Sequence, residues 1–377
     1  MQGIKKILIV KLSSIGDVVH SLPFLEVIKD NFPSARIDWL VEEASSLILE
    51  GHPALSRIII SRRKTWQKNL LRSSRWISLL SEAIHLLREV REYRYDLVID
   101  LQGLFRSGIM VGLSRGERKI GMIGAREGGG WFINEKPVPV DYAQHAVDRY
   151  LQVAEYLGCN VTPWKGHIPV RNADKGKINL LIGNEGSGKR PIVVINPMAR
   201  WETKLWQTAG FAALADRLYD ELSCWIIFTG SHQDRAIIDE IAGRMKGTPI
   251  NLAGRTSLKE LAYLYTLCSA LVTTDTGPMH IAAAMGCPVI AIFGPTDPVR
   301  TGPYGLGHEV IRTDIPCSPC FNKKCEDMTC MKQITVERCF ETVKRVLTYG
   351  SRKNKFAEVR AKNAMYLADL SEQNHSD

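Results

Sequence analysis

Short apolar, β-branched runs alternate with helical periodicity from one end of the chain to the other, and that alternation leaves few architectures open. In the first half, strand-like runs fall at residues 6–12, 37–41, 57–60, 96–101 and 119–122, with helical apolar spacing over 77–93 and 143–157. The second half repeats the scheme. Strand-like runs at 192–195, 225–229, 271–274 and 289–293 are separated by helical patterns at 208–222, 234–245, 257–268 and 280–285. Strands alternating with helices imply parallel sheets with crossover helices. At 377 residues the chain has room for about two domains, each with its own core. The reading is therefore α/β, with residues 1–170 and 191–350 as two doubly wound domains facing a central cleft. The polar, Gly- and Lys-rich stretch 171–190 reads as a flexible linker, and 351–377 as a polar tail. In such sheets ligands sit beyond the carboxyl ends of the strands, so chemistry is sought just after strands.

Composition narrows the partners. No stretch approaches the ~20 apolar residues of a membrane span. The opening MQGIKKILIVKL runs straight into a strand pattern with no small-residue cleavage site, so no signal peptide is expected. Nine cysteines, an odd number, suggest reduced cytoplasmic thiols. The net charge of +9 points to an anionic partner. That charge is concentrated: between Glu50 and Glu82 no acidic residue occurs, while Arg57, Arg62, Arg63, Lys64, Lys68, Arg72 and Arg75 do, interleaved with Trp66 and Trp76. Such a run is either a solvated face or a docking surface for phosphates or an anionic leaflet, each base there adding about 1 kcal/mol. No helix-turn-helix, zinc-finger or RNP pattern accompanies it, which disfavours nucleic acid.

The stretch LLIGNEGSGKRPIVVI, residues 180–195, satisfies G-x-x-x-x-G-K through Gly183, Gly188 and Lys189. A triphosphate loop needs Ser or Thr after the Lys and a helix beginning there. Here Arg190 takes that place, and a strand pattern comes next. The match is therefore read as part of the linker.

Two strand-end motifs are better candidates. In VKLSSIGDVVHSLP, residues 10–23, Asp17 falls at a helix start with His20 one turn on. Asp17 is either a helix cap, a role worth about 1 kcal/mol, or a carboxylate held over the cleft. In LVTTDTGPMHIAAAMGCPVIAIFGPTDP, residues 271–298, Asp275 ends a strand and Thr276-Gly277 open a helix, with Pro278 where its missing N–H costs little. Free N–H groups and small residues at such a start suit a diphosphate, and His280 lies on the same opening. The strand-end segment NPMARWETKLW, residues 196–206, adds Lys204 as an ammonium within range of phosphate.

These motifs, together with DLQGLFRSG at 100–108, resemble those of the ADP-heptose:lipopolysaccharide heptosyltransferases of glycosyltransferase family 9, over residues 4 to about 345. The opening motif and IDWLVEE are most similar to the heptosyltransferase I branch, which adds the first heptose to Kdo. The resemblance implies a GT-B fold of two Rossmann-like domains, acceptor on the N-terminal one and ADP-sugar on the C-terminal one. It implies an inverting enzyme without catalytic metal or other cofactor, at the cytoplasmic face of the inner membrane. By position, Asp17 resembles the general base and Lys204 the cation that stabilises the leaving diphosphate. Asp275, Thr276, Gly277 and His280 resemble the ADP-heptose site; Arg62, Arg63, Lys64 and Arg126 fall where the family contacts its anionic acceptor. The implied partners are ADP-heptose, Kdo-lipid A or inner-core lipopolysaccharide, and the anionic membrane surface. A heptosyltransferase II or later enzyme, or a non-catalytic nucleotide-sugar-binding protein, is the alternative. Departures are Met198 and Ala199 in place of hydroxyls or glycine, Gln207 in place of a frequent proline, and Thr256 in place of a methionine near the nucleotide.

Cys317, Cys320, Cys325 and Cys330 supply metal-ligand types, but their spacing matches no standard finger, and thiols without metal are expected.

Overall fold

The computed structural model describes residues 3–63, 76–162, 164–183 and 190–348. The N-terminal half runs β1 (Lys6–Val10), α1 (Ile15–His20), α2 (Leu22–Asn31), β2 (Arg36–Glu42), α3 (Glu43–Leu49), β3 (Arg57–Ser61), α4 (Trp76–Arg91), β4 (Arg94–Asp100), α5 (Phe105–Leu113), β5 (Arg115–Gly121) and α6 (Ala146–Tyr156). Helix α7 (Asn172–Ile182) leads into the C-terminal half. This half runs β6 (Ile192–Asn196), α8 (Thr208–Leu222), β7 (Trp225–Phe228), α9 (Arg235–Gly243), β8 (Ile250–Asn251), α10 (Leu258–Leu267), β9 (Ala270–Thr274), α11 (Gly277–Ala284), β10 (Val289–Phe293) and β11 (Glu309–Arg312). Residues 336–348 are helical and close the described chain.

The strands form two wholly parallel sheets, one of five strands in the order β3-β2-β1-β4-β5 and one of six in the order β11-β10-β9-β6-β7-β8. Helices cover both faces, so central strands read as continuous apolar runs, and IVVIN, ALVTT and VIAIF are buried at every position. In the first sheet the chain starts at β1, winds outward to β3, then returns to the other side of β1 with β4. In the second it starts at β6, winds to β8, then returns beside β6 with β9. Each reversal leaves a crevice at the strand carboxyl ends, between β1 and β4 and between β6 and β9. The three strand-end motifs and DLQGLFRSG open from these four strands.

Two doubly wound sheets agree with the sequence reading, with differences in detail. Helix α7 shows that the segment 171–190 is not a flexible linker throughout. Ile178 and Ile182 are fully buried or nearly so, α7 packs against α10, and Asp174 accepts from the Arg171 N–H and guanidinium at the helix start, both at 3.0 Å. Gly188 and Lys189 lie outside the described residues. The next residue, Arg190, donates its guanidinium to Ser223 O, and the chain then enters β6 rather than a helix. The chain also has β8 and β11, which the sequence pattern missed because each is short and half polar.

The halves meet through buried contacts. Helix α1 packs against α11, and α10 packs against α3 and α7. Lys259 on α10, fully buried, donates to the carbonyls of Glu50 and Pro169 in the other half. Burial lowers its pKa to about 8.

Candidate active site

On the N-terminal side the site is built on the turn after β1. Ser14 is the N-cap of α1, and Asp17 is its third helical residue, not the cap. Asp17 Oδ2 accepts from the Ser14 N–H at 2.9 Å and the Ser14 hydroxyl at 2.8 Å. This is the carboxylate half of a capping box. The Asp17 side chain remains 40% exposed, so it is open to the cleft. Beneath it Lys11, 4% exposed, lies 4.0 Å from Asp17 Oδ1, donates to Leu101 O at 3.1 Å and sits 4.9 Å from the Tyr150 ring centroid. Burial opposes the charge on Asp17, but Lys11 and the two Ser14 donors outweigh it and hold the carboxyl below its ordinary range. The Asp17 carboxylate is therefore ionised at neutral pH and placed to accept a proton.

The turn after β4 braces this arrangement. Buried Asp100 accepts from the N–H groups of Gln102 and Gly103 and from the Ser107 hydroxyl. Gln102 in turn accepts from the Ser13 N–H at 3.1 Å, and Arg106 donates to the Ser13 hydroxyl at 2.9 Å. Lys11, Gln102 and Arg106 were not singled out in the sequence. Arg106 lies six residues past a strand end in a quoted motif, which is the signal that would have found it.

On the C-terminal side, Lys204 Nζ donates to Asp275 Oδ2 at 2.5 Å, the two side chains being 15% and 8% exposed. Thr296 donates its hydroxyl to the same oxygen at 2.7 Å. The ammonium also lies 4.4 Å from the Trp201 ring centroid. Asp275 thus aims Lys204, a role the sequence reading did not give it. Thr276 is the N-cap of α11, and its side chain makes no cap hydrogen bond. Gly277 is the first helical residue, against Ile15 of the other half: an added Cβ there would sit 3.4 Å from the Ile15 side chain.

His280 joins the two sides. Its Nδ1 lies 2.8 Å from His20 Nε2, one ring donating and the other accepting. Its ring is packed so close to Gly16 that a Cβ on Gly16 would meet His280 Cδ2 at 2.3 Å. Burial lowers the His280 pKa to about 4, although the carboxylates of Asp275 and Asp17, one from each half, both pull it upward. His20, pushed down by burial and by His280, stacks edge-on against His145 at 4.9 Å, and His145 Nε2 meets Gly302 O at 3.0 Å. Three neutral imidazoles therefore fill the seam beside the site. Of them only His20 and His280 were noted in the sequence.

The expected acceptor bases are more dispersed. Arg62 pairs with Glu43 at 3.2 Å, both side chains about half exposed. Arg63 pairs with buried Glu42 at 3.0 Å, and Arg106 approaches the same Glu42 oxygen at 3.7 Å. Arg126 is exposed, its backbone N–H bonded to Gly103 O. Lys64 lies outside the described residues. Arg57, counted in the basic run, serves structure: it is bound by Asp38 at 3.0 Å and by Glu92. Among the described residues no cluster of His, Cys, Asp or Glu is arranged to hold a metal ion, the four loop cysteines included.

Comparison with known proteins gives the family. Residues 83–330 match the model of glycosyltransferase family 9 (heptosyltransferase). The chain is 33% identical over 334 residues to lipopolysaccharide heptosyltransferase 1 of Pseudomonas aeruginosa, covering 85% of this chain and 87% of the relative. Among solved structures, a family 9 glycosyl transferase from Veillonella parvula aligns with a TM-score of 0.80 at 25% identity, over 93% of this chain and 99% of that one. The E. coli heptosyltransferase WaaC with ADP aligns with a TM-score of 0.73 at 26% identity, over 90% of this chain and 99% of that one. With its two parallel sheets, its paired strand-end motifs and these relatives, the chain belongs to glycosyltransferase family 9, the heptosyltransferases.

Proposed function

We propose that this chain transfers L-glycero-D-manno-heptose from ADP-heptose to the Kdo region of the lipopolysaccharide inner core, with inversion at the anomeric carbon. The observation that carries the reading is the contact of α1 with α11 at His280, whose ring lies against Gly16 and bonds His20 on the helix of Asp17 while its own helix opens just after Asp275, the partner of Lys204. Inversion in one displacement needs a base on the acceptor side and a cation on the leaving-group side. Asp17 takes the proton of the attacking hydroxyl as its oxygen bonds to the anomeric carbon. The bond to the diphosphate breaks, and Lys204, aimed by Asp275, meets the charge that develops on ADP. Thr276 and Gly277 at the start of α11 lie where the diphosphate approaches. A direct contact between the diphosphate and Asp275 is disfavoured by like charge, so Asp275 acts by positioning Lys204.

The N-terminal half takes the acceptor in this reading, and the C-terminal half ADP-heptose. Identity to a heptosyltransferase 1 favours a Kdo acceptor over a heptosyl one. An exposed pair such as Arg62–Glu43 is worth at most about 1 kcal/mol, so an acceptor phosphate or carboxylate can displace Glu43. No helix among the described residues is long and apolar enough to cross a membrane. A lipid-linked acceptor then places the enzyme at the surface of the cytoplasmic leaflet.

The test is ADP release from ADP-heptose with and without Kdo-lipid A, in the wild type and in Lys204→Ala. Release should require the acceptor, and the substitution should lower kcat by roughly 10²-fold or more, since the lost contact acts on transition-state charge. An unchanged kcat would remove Lys204 from the site. Arg62→Ala with Arg126→Ala should raise the apparent KM for the lipid acceptor and leave that for ADP-heptose nearly unchanged.

A further inference from the structure

Helix α4 is apolar on two faces. One face, with Leu86 and Val90, is buried against the first sheet. The other carries Leu80, Ile84 and Leu87, exposed by 64%, 41% and 36%. Their spacing of four and three residues aligns them along a single stripe. Ile84 and Leu87, with the outer edges of Leu86 and Val90 and with Met110 and Leu113 of α5, line a shallow groove of ≈ 280 Å³ formed by apolar residues, and Leu80 continues the stripe beyond it. Across α5 from α4 lies the short turn Gly129–Phe132, where Trp131 is 81% exposed. An outer stripe of this kind is costly in water unless something covers it.

The surroundings indicate what does. Arg91 donates to Leu113 O and Lys119 to Gly112 O, which sets two cations at the groove's end, and exposed Arg88 lies on α4 beside them. Of the acids on α4, Glu89 is held by His85 at 3.3 Å. The sequence leading into α4 carries Lys68, Arg72 and Arg75, with no acid between Glu50 and Glu82. Apolar side chains with cations at their edge and an exposed tryptophan on the neighbouring turn match a bilayer interface: hydrocarbon below, anionic headgroups above. We propose that the outer stripe of α4, with the edge of α5 and Trp131, is the surface by which this enzyme docks on an anionic lipid bilayer. The inference rests on the reading of a lipid-linked acceptor.

The experiment uses the full chain and two readouts. The first is co-sedimentation with phosphatidylethanolamine–phosphatidylglycerol vesicles and with phosphatidylcholine vesicles. The second is transfer to a deacylated, water-soluble acceptor. Leu80→Glu/Ile84→Glu should lower the vesicle-bound fraction by about tenfold or more, because carboxylates resist entry into the interface, and leave soluble-acceptor turnover within about twofold. Arg88→Glu should weaken binding to anionic vesicles and leave the weak binding to neutral ones unchanged. The substituted positions are exposed, and unchanged thermal unfolding would verify that the variants fold. Undiminished sedimentation of Leu80→Glu/Ile84→Glu would overturn the proposal. So would a wild-type dimer that this variant dissociates, since a second copy would then cover the stripe. A wild type that binds vesicles through the stripe but turns over neither acceptor would refute the activity and leave the docking surface supported.

Discussion

Lys11 and Asp17 illustrate how a buried cation holds an accessible carboxylate ionised. A carboxyl two residues into a helix is usually capping hardware, and Asp17 does accept both donors of Ser14. The ammonium beneath it adds what a cap does not need, an opposite charge shielded from water. Asp17→Asn retains an acceptor for Ser14, so the helix start should survive. It removes the proposed base, so kcat should fall by at least about 10²-fold while ADP-heptose still binds. Turnover near the wild-type rate would mean that the base lies elsewhere. Lys11→Met tests the tuning. Lys11 lowers the Asp17 pKa, so its loss must raise it, and the acid limb of the kcat/KM profile should move to higher pH. A limb that stays in place would assign that ionisation to another group.

At the scale of elements, α1 and α11 start from the crevices of different sheets and touch near their first turns. Gly16 is what permits the contact, because any Cβ there would overlap the His280 ring. Gly16→Ala should cost about 1–3 kcal/mol of stability as the ring is displaced. It should also lower kcat, since moving His280 shifts the two halves of the site relative to one another. Chemical denaturation and turnover, measured on the same preparation, would check both. A stable variant with wild-type kcat would mean that the seam relaxes without involving the site. The pair Lys204–Asp275 is similarly a product of adjacent elements: β6 and β9 are neighbours in the sheet although 71 positions separate the two residues. Parallel strands demand such long crossovers.

For the whole molecule, the seam between the halves is rich in groups that titrate when it opens. His20, His145 and His280 are all held below the ordinary histidine value by burial, His280 from 6.5 to about 4. Between those two values the unfolded chain binds protons that the folded chain refuses, so stability rises with pH and is lost on acidification. For His280 alone the difference corresponds to on the order of 3 kcal/mol. Urea midpoints measured from pH 7 to pH 4 should therefore fall, and fall less steeply in His280→Asn. Parallel slopes would place the acid sensitivity in other groups.

The alternation of strand and helix and the crossover topology were legible from the residues alone, as was the strand-end position of the proposed site. Each depends on short-range periodicity and on the geometric rule that ligands collect where a parallel sheet reverses. Asp17, Lys204, Thr276, Gly277 and His280 could be picked out as candidates because they sit just past strand patterns within their motifs. Lys11 could not, because inside a strand run it reads as an interruption and not as a buried charge. Nor could the positioning role of Asp275, or the His20–His280 bond between residues 260 positions apart. The opposite error occurred at 171–190, where polar composition concealed a helix with two buried isoleucines that packs against α10. Local sequence determines which element forms and where it ends. Which charges neutralise one another, and which histidines lose their protons to burial, is decided only when the two sheets bring distant strand ends into one low-dielectric seam.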